Sequence, residues 1–372
     1  MPPASSRTPL IDMVKAMACI AIVWHHLAFY GPMSDIAYPL APVLMAWLYD
    51  HGRVAVQVFL VVAGYLAAHS LAPEGVARFS HWGGAVGKRF VRLAVPYAAA
   101  LLLTVAVSAL VRPWMDHPSV PAAPTFTQLV ANTLLLQDLV GEEALSAGVW
   151  YVAIDLQLFA LSALIWSAAR LIPGTHIWWF NVSLGQGLVV AATAASLWVF
   201  NRMPWLDAWA VYFFGAYGLG MLSFWAVQAV RAQGWVALML LLGGVALVID
   251  YRSRILVALL TSLGLVWALR SPWLRNWQGV RPLVLLGQMS YSVFLVHFAV
   301  CLLVNAVVST LWNASPALNA LGMLVAFVLS LAMGRLLYWG VERRVPTWRT
   351  ALRWQCGLIG AGLLLAVPVQ WV

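Results

Sequence analysis

Along most of this chain, charged residues are missing for about twenty positions at a time. Apolar segments run over about residues 11–30, 53–71, 93–111, 148–170, 183–200, 208–226, 235–250, 254–270, 283–309 and 318–340, with a shorter last one over about 355–371. A helix rises about 1.5 Å per residue, so about 20 apolar residues cross about 30 Å of hydrocarbon. Of 372 residues, 63% are hydrophobic and 9% charged, and the mean hydropathy is +0.87. A soluble domain carries about 25% charged residues. Here the deficit extends over the whole length, so the chain reads as an all-α polytopic transmembrane bundle of about 10–11 helices. It forms one membrane domain over residues 1–372. Its longest polar interruption, an extracytoplasmic loop over 113–147, is too short and proline-rich to fold alone, although about 126–140 has the pattern of an interfacial amphipathic helix.

A net charge of +9 would suit nucleic acid, but its distribution excludes that partner. Basic residues gather in alternate loops, at Arg78, Lys88, Arg89 and Arg92, at Arg270, Arg275 and Arg281, and at Arg343, Arg344, Arg349 and Arg353, while Asp116, Asp138, Glu142 and Glu143 share the long loop. This is the positive-inside pattern, with the N-terminus cytoplasmic. The first apolar segment lacks the uninterrupted core of a cleavable leader and reads as a retained signal anchor. The expected setting is the plasma, or cell inner, membrane. Cys19, Cys301 and Cys356 lie in apolar segments without pairable spacing, so neither a disulfide framework nor a metal site is expected.

The first segment, from Asp12 through Lys15 to His25-His26, puts ionisable groups where lipid should be. At about 100° per residue, Lys15 and His26 fall within about 20° of one another and about 16 Å apart along the axis, and Asp12 shares the sector. The adjacent His25 points about 100° away. A mid-membrane Lys or Asp costs about 2.5–3.5 kcal/mol, so this stripe must face protein or a wet cavity. The plainer reading has Asp12 and Lys15 snorkelling to the interface and the histidines hydrogen-bonded inside. Asp155 and His297 come from separate helices to a depth similar to that of His26. A carboxylate beside a histidine suits a general base that deprotonates an alcohol, though a buried acid paired with arginine and a packing histidine are the simpler alternatives. Arg89 and Arg92, at i and i+3, can clamp phosphate or can simply mark the cytoplasmic side.

Together these residues resemble a family. Lys15 and His26, ten residues between them, look like the Arg/Lys-x10-His of the acyltransferase-3 membrane acyltransferases, and Arg89-Phe-Val-Arg92 matches its Arg-x-x-Arg. Val58-Phe-Leu-Val-Val-Ala-Gly64-Tyr65, Trp150-Tyr151 followed by Asp155, the run from Gly287 through Ser290-Tyr291 to His297, and the late Glu342 follow in the family's order. Lys15, Ala63, Asp155 and Phe294 replace commoner residues. The resemblance implies ten or more helices, an acyl-CoA donor (acetyl-CoA foremost) and a hydroxyl acceptor on a glycan or related small molecule at or beyond the outer face. His26 would be base or acyl carrier with Asp155 and Lys15 supporting it, and Lys88, Arg89 and Arg92 would hold the donor phosphates. His25, Asp12, Ser290, Tyr291 and His297 complete the candidate site. Other glycan-assembly proteins are possible partners beside the bilayer itself. The competing function is a transporter or flippase for a glycan or lipid-linked sugar, with the polar stripe as its conduit.

Overall fold

The computed structural model describes residues 8–172, 176–177 and 182–366. In chain order its helices are α1 (Pro9–Phe29), α2 (Met33–Ala37), α3 (Pro42–His51), α4 (Val56–Leu71), α5 (Trp82–Val111), α6 (Phe126–Thr133), α7 (Gln137–Val140), α8 (Trp150–Ala169) and α9 (Leu184–Trp198). There follow α10 (Ala210–Gln228), α11 (Gln233–Ile249), α12 (Ser253–Arg270), α13 (Pro272–Asn276), α14 (Arg281–Gln288), α15 (Ser290–Leu311), α16 (Pro316–Leu337) and α17 (Trp348–Ala366). A two-stranded antiparallel ribbon, β1 (His176–Ile177) with β2 (Val182–Ser183), precedes α9. Among the described residues nine stretches are long and apolar enough to cross a membrane, and α11 is a shorter apolar helix. Only helices and closed barrels satisfy every backbone group inside hydrocarbon, which is why so apolar a chain resolves into helices.

The boundaries differ from the sequence reading in instructive places. The basic stretch Lys88 to Arg92, expected at the mouth of a helix beginning near 93, lies inside α5, which starts eleven positions earlier at Trp82. The second apolar stretch begins at Pro42 and reaches Leu71 through a 3-10 turn at Gly52–Ala55. The expected helix over 283–309 is broken at Met289 between α14 and α15, and the segment over 126–140 is two short helices with buried Leu135, at φ 59°, between them. Capping boxes at Thr125/Gln128 and Ser183/Gln186 satisfy the first free N–H groups of α6 and α9.

The chain forms two compact units. The first comprises residues 1–15, 54–89 and 153–284. Its core is α10, buried along nearly its whole length and packed by α4, α9, α11 and α12. Small residues make this possible: a Cβ on Gly64 would strike the Tyr217 carbonyl, and one on Gly220 would strike the Val61 carbonyl. The backbones of α4 and α10 therefore touch, as small residues allow between membrane helices. Arg270, at the end of α12, donates to the Ala226, Val227, Ala229 and Val230 carbonyls and so covers the negative end of α10.

The second unit comprises residues 16–53, 90–152 and 285–372. Its centre is α15, packed lengthwise on α16. The side chain of Asn305 on α15 accepts from Met33 N at 2.8 Å and donates to the Tyr30 carbonyl at 3.1 Å, tying down the chain just beyond α1. The α17 helix buries one face, with Gln355 donating to the Thr133 carbonyl of α6 at 3.1 Å.

The α4/α10 contact makes a prediction. Gly220→Leu forces a side chain onto backbone that cannot swing away, and overpacking costs typically about 1–3 kcal/mol. Thermal unfolding of the detergent-solubilised protein should move down by several degrees, whereas Gly244→Leu, with open space around it, should not. Equal midpoints for the two variants would refute the close packing.

Candidate functional site

In the second unit α1 brings His26 to His297 of α15. His26 Nδ1 lies 2.6 Å from His297 Nε2, with the ring planes 6° apart. His297 Nδ1 in turn lies 2.6 Å from the Phe294 carbonyl oxygen. A carbonyl only accepts, so His297 carries its proton on Nδ1 and leaves Nε2 as an acceptor. His26 must then donate from Nδ1, and its lone pair is on Nε2. His297 is fully buried and His26 partly exposed. The hydrogen bonds thus fix one tautomer through both rings and present a basic nitrogen at the more accessible end.

The backbone shapes the surroundings. Gly148 has φ +76°, and a Cβ there would sit 3.2 Å from His26 Cε1 and 3.1 Å from Phe294 Cζ. Its missing side chain and left-handed conformation let the start of α8 run beside the imidazole. Tyr151 then meets Phe294 edge-on, and Tyr30 packs 5.5 Å from His26, centroid to centroid. Gly148 and Asn305 were not among the sequence-derived site residues. The available signals were a glycine just before Trp150-Tyr151 and an amide within an apolar helix.

The remaining candidates separate by what holds them. His25 is buried, its Nδ1 2.9 Å from the Leu48 carbonyl and its Cβ seated over Gly52, so it serves packing rather than the imidazole pair. Ser290 donates to the Gly287 carbonyl at 2.9 Å and Tyr291 to the Leu93 carbonyl at 3.1 Å, anchoring the start of α15. One turn before His297, Ser292 donates to Glu342 at 2.5 Å.

In the first unit two of the candidate acids have basic partners. Lys15 and Asp12 form an ion pair at 2.7 Å along α1. Arg89 Nη2 meets Asp155 Oδ2 at 2.5 Å, and its guanidinium lies over the Phe159 ring at 5.5 Å. Asp155 is 2% exposed and its Oδ1 has no hydrogen-bond partner among the described residues. His297 is thus the group in contact with His26, and Asp155 accepts from Arg89. Lys88 and Arg92 stand exposed on α5.

A family model, acyltransferase-3, described as an acyltransferase domain, matches residues 9–339. Acyltransferase MdmB of Streptomyces mycarofaciens is 24% identical over 324 residues, which cover 81% of this chain and 80% of that protein. No solved structure matches the chain significantly.

The wall at Gly148 can be tested against a second glycine. Gly141 has φ +75° but open space around it, so alanine there carries the backbone strain without touching the imidazole. Gly148→Ala should lose at least about tenfold more turnover than Gly141→Ala, by the sensitivity of catalysis to small displacements. Equal losses would mean that strain, not crowding of His26, is responsible.

Proposed function

Because the chain belongs to the acyltransferase-3 family, we propose that it transfers an acyl group, acetyl foremost, from cytoplasmic acyl-CoA to a hydroxyl of a glycan or related small molecule at or beyond the outer face of the plasma (inner) membrane. The N-terminus is cytoplasmic in this reading, as the alternation of basic loops supports. The observation that carries it is the 2.6 Å contact between His26 and His297, which leaves His26 Nε2 as a base.

In the proposed reaction the acceptor hydroxyl gives its proton to His26 Nε2 while its oxygen attacks the thioester carbonyl. The C–S bond then breaks, and the leaving thiolate takes that proton from the imidazolium, giving ester and free thiol. His297 Nε2 accepts from His26 Nδ1 throughout, holding the ring and sharing the transient positive charge. Nε2 is also the atom that would carry the acyl group if transfer runs in two steps. Lys15 holds the donor or stabilises charge on its carbonyl. Lys88, Arg89 and Arg92 bind the donor phosphates, with Asp155 orienting Arg89. Enclosure by apolar helices keeps bulk water from competing for the thioester.

Membrane vesicles supplied with labelled acetyl-CoA and a polysaccharide acceptor test the reading. His26→Ala should cut label transfer by about 10²–10⁴-fold, as removal of a general base does, and His25→Ala by far less. Wild-type rates in the His26 variant would sink the assignment, and glycan movement without label transfer would favour a conduit.

The arginines should separate by burial. Arg92→Ala should raise KM for acyl-CoA at constant kcat, since phosphate contacts act equally in ground and transition states. Arg89→Ala should also lower the unfolding temperature, because it strands the buried Asp155 carboxylate. Unchanged stability in Arg89→Ala would show that the ion pair does not hold that side chain.

A further inference from the structure

A cavity of about 420 Å³ lies within the first unit, where α10 and α12 end and α1 begins. Thr8, Tyr65, Gln228, Arg270 and Arg275 line it beside apolar Leu269, and no acidic residue lines it among the described residues. Small-molecule sites span about 300–1,000 Å³, so this one has room for a nucleotide portion rather than for an ion alone.

Its charge is the informative part. The end of α10 would present unpaired carbonyls here, a negative surface, but Arg270 covers two of them, Ala226 and Val227, with the Ala229 and Val230 carbonyls just beyond, and is held in place by doing so. That leaves Arg275 as surplus positive charge. It is exposed and makes no ion pair or hydrogen bond among the described residues. Thr8 adds the positive end of α1 to the same wall. Two guanidinium groups, an amide and two hydroxyls around one concavity match a phosphorylated, hydrogen-bonding ligand. A neighbouring depression that shares Arg270 is walled mostly by apolar residues, among them Val230, Val236 and Leu240.

We propose that this cavity binds the phosphorylated nucleoside end of the acyl-CoA donor, with Arg275 the residue that selects it. The proposal rests on the donor assigned above and adds to it a subsite built on α1, α4, α10, α12 and α13. Only phosphates are bound here; no bond is made or broken.

Two measurements test it. In vesicles, Arg275→Gln should raise KM for acetyl-CoA about tenfold or more, the usual worth of a charged hydrogen bond. It should leave kcat unchanged, and KM for acetyl-pantetheine, which lacks the nucleotide, should not move. Calorimetry on purified protein should show adenosine 3′,5′-bisphosphate binding to wild type and at least tenfold more weakly to Arg275→Gln. Equal KM changes for both donors, or equal nucleotide affinity in both proteins, would overturn the proposal. So would a wild-type rate that rises with the anionic phospholipid content of the vesicles and loses that dependence in Arg275→Gln while KM stays fixed; the phosphate recognised would then be a lipid headgroup. Nucleotide binding without acetyl-CoA turnover would uphold the cavity and overturn the donor reading instead.

Discussion

A polar side chain inside an apolar helix bundle has no water to fall back on, and much of the arrangement of this protein follows from where its ionisable side chains find partners. His26 meets His297, Asp155 meets Arg89, Asp12 meets Lys15 and Glu342 meets Ser292. Leaving one of these charges alone at mid-membrane would cost about 2.5–3.5 kcal/mol on insertion scales. Asn305 does the same for backbone, taking up the Met33 N–H and the Tyr30 carbonyl where the chain leaves α1. Apart from Asp12–Lys15, which lies within α1, each pairing joins two elements, so the groups available for chemistry also help hold their helices in place.

The imidazole pair differs from a carboxylate–histidine arrangement in what stands behind the base. The last acceptor is the Phe294 carbonyl, a backbone group of the same helix whose oxygen has a second lone pair beyond the one used in the helical ladder. A neutral relay of this kind orients His26 firmly and adds no negative charge. It therefore avoids the desolvation cost that a buried carboxylate would bring. In the proposed reaction the imidazolium forms only transiently, and the pair of rings spreads that charge.

Basic residues do three different jobs along this chain. Some set orientation across the bilayer by their side of the membrane. Arg270 covers carbonyls at and just beyond the end of α10, and Arg89 is held in place by Asp155. Arg275, Lys88 and Arg92 are among the basic residues that stand exposed, where an anionic ligand can meet them. Residue type alone does not tell these roles apart, because all depend on which carbonyl or carboxylate lies within about 3 Å.

The sequence by itself determined the class of architecture, since long apolar segments admit little besides transmembrane helices, and it singled out His26 because helical periodicity places it with Lys15 and turns His25 away. It also carried the ordered motifs that identify the family. It could not show that His297 would be the partner of His26, because contact between helices far apart in the chain depends on packing that periodicity does not encode. The break at Met289, the early start of α5 and the role of Gly148 escaped it for the same reason. Apolar runs mark hydrophobic length rather than helix ends, and a glycine's purpose appears only when the neighbour it makes room for, here the imidazole of His26, has been brought beside it by tertiary structure.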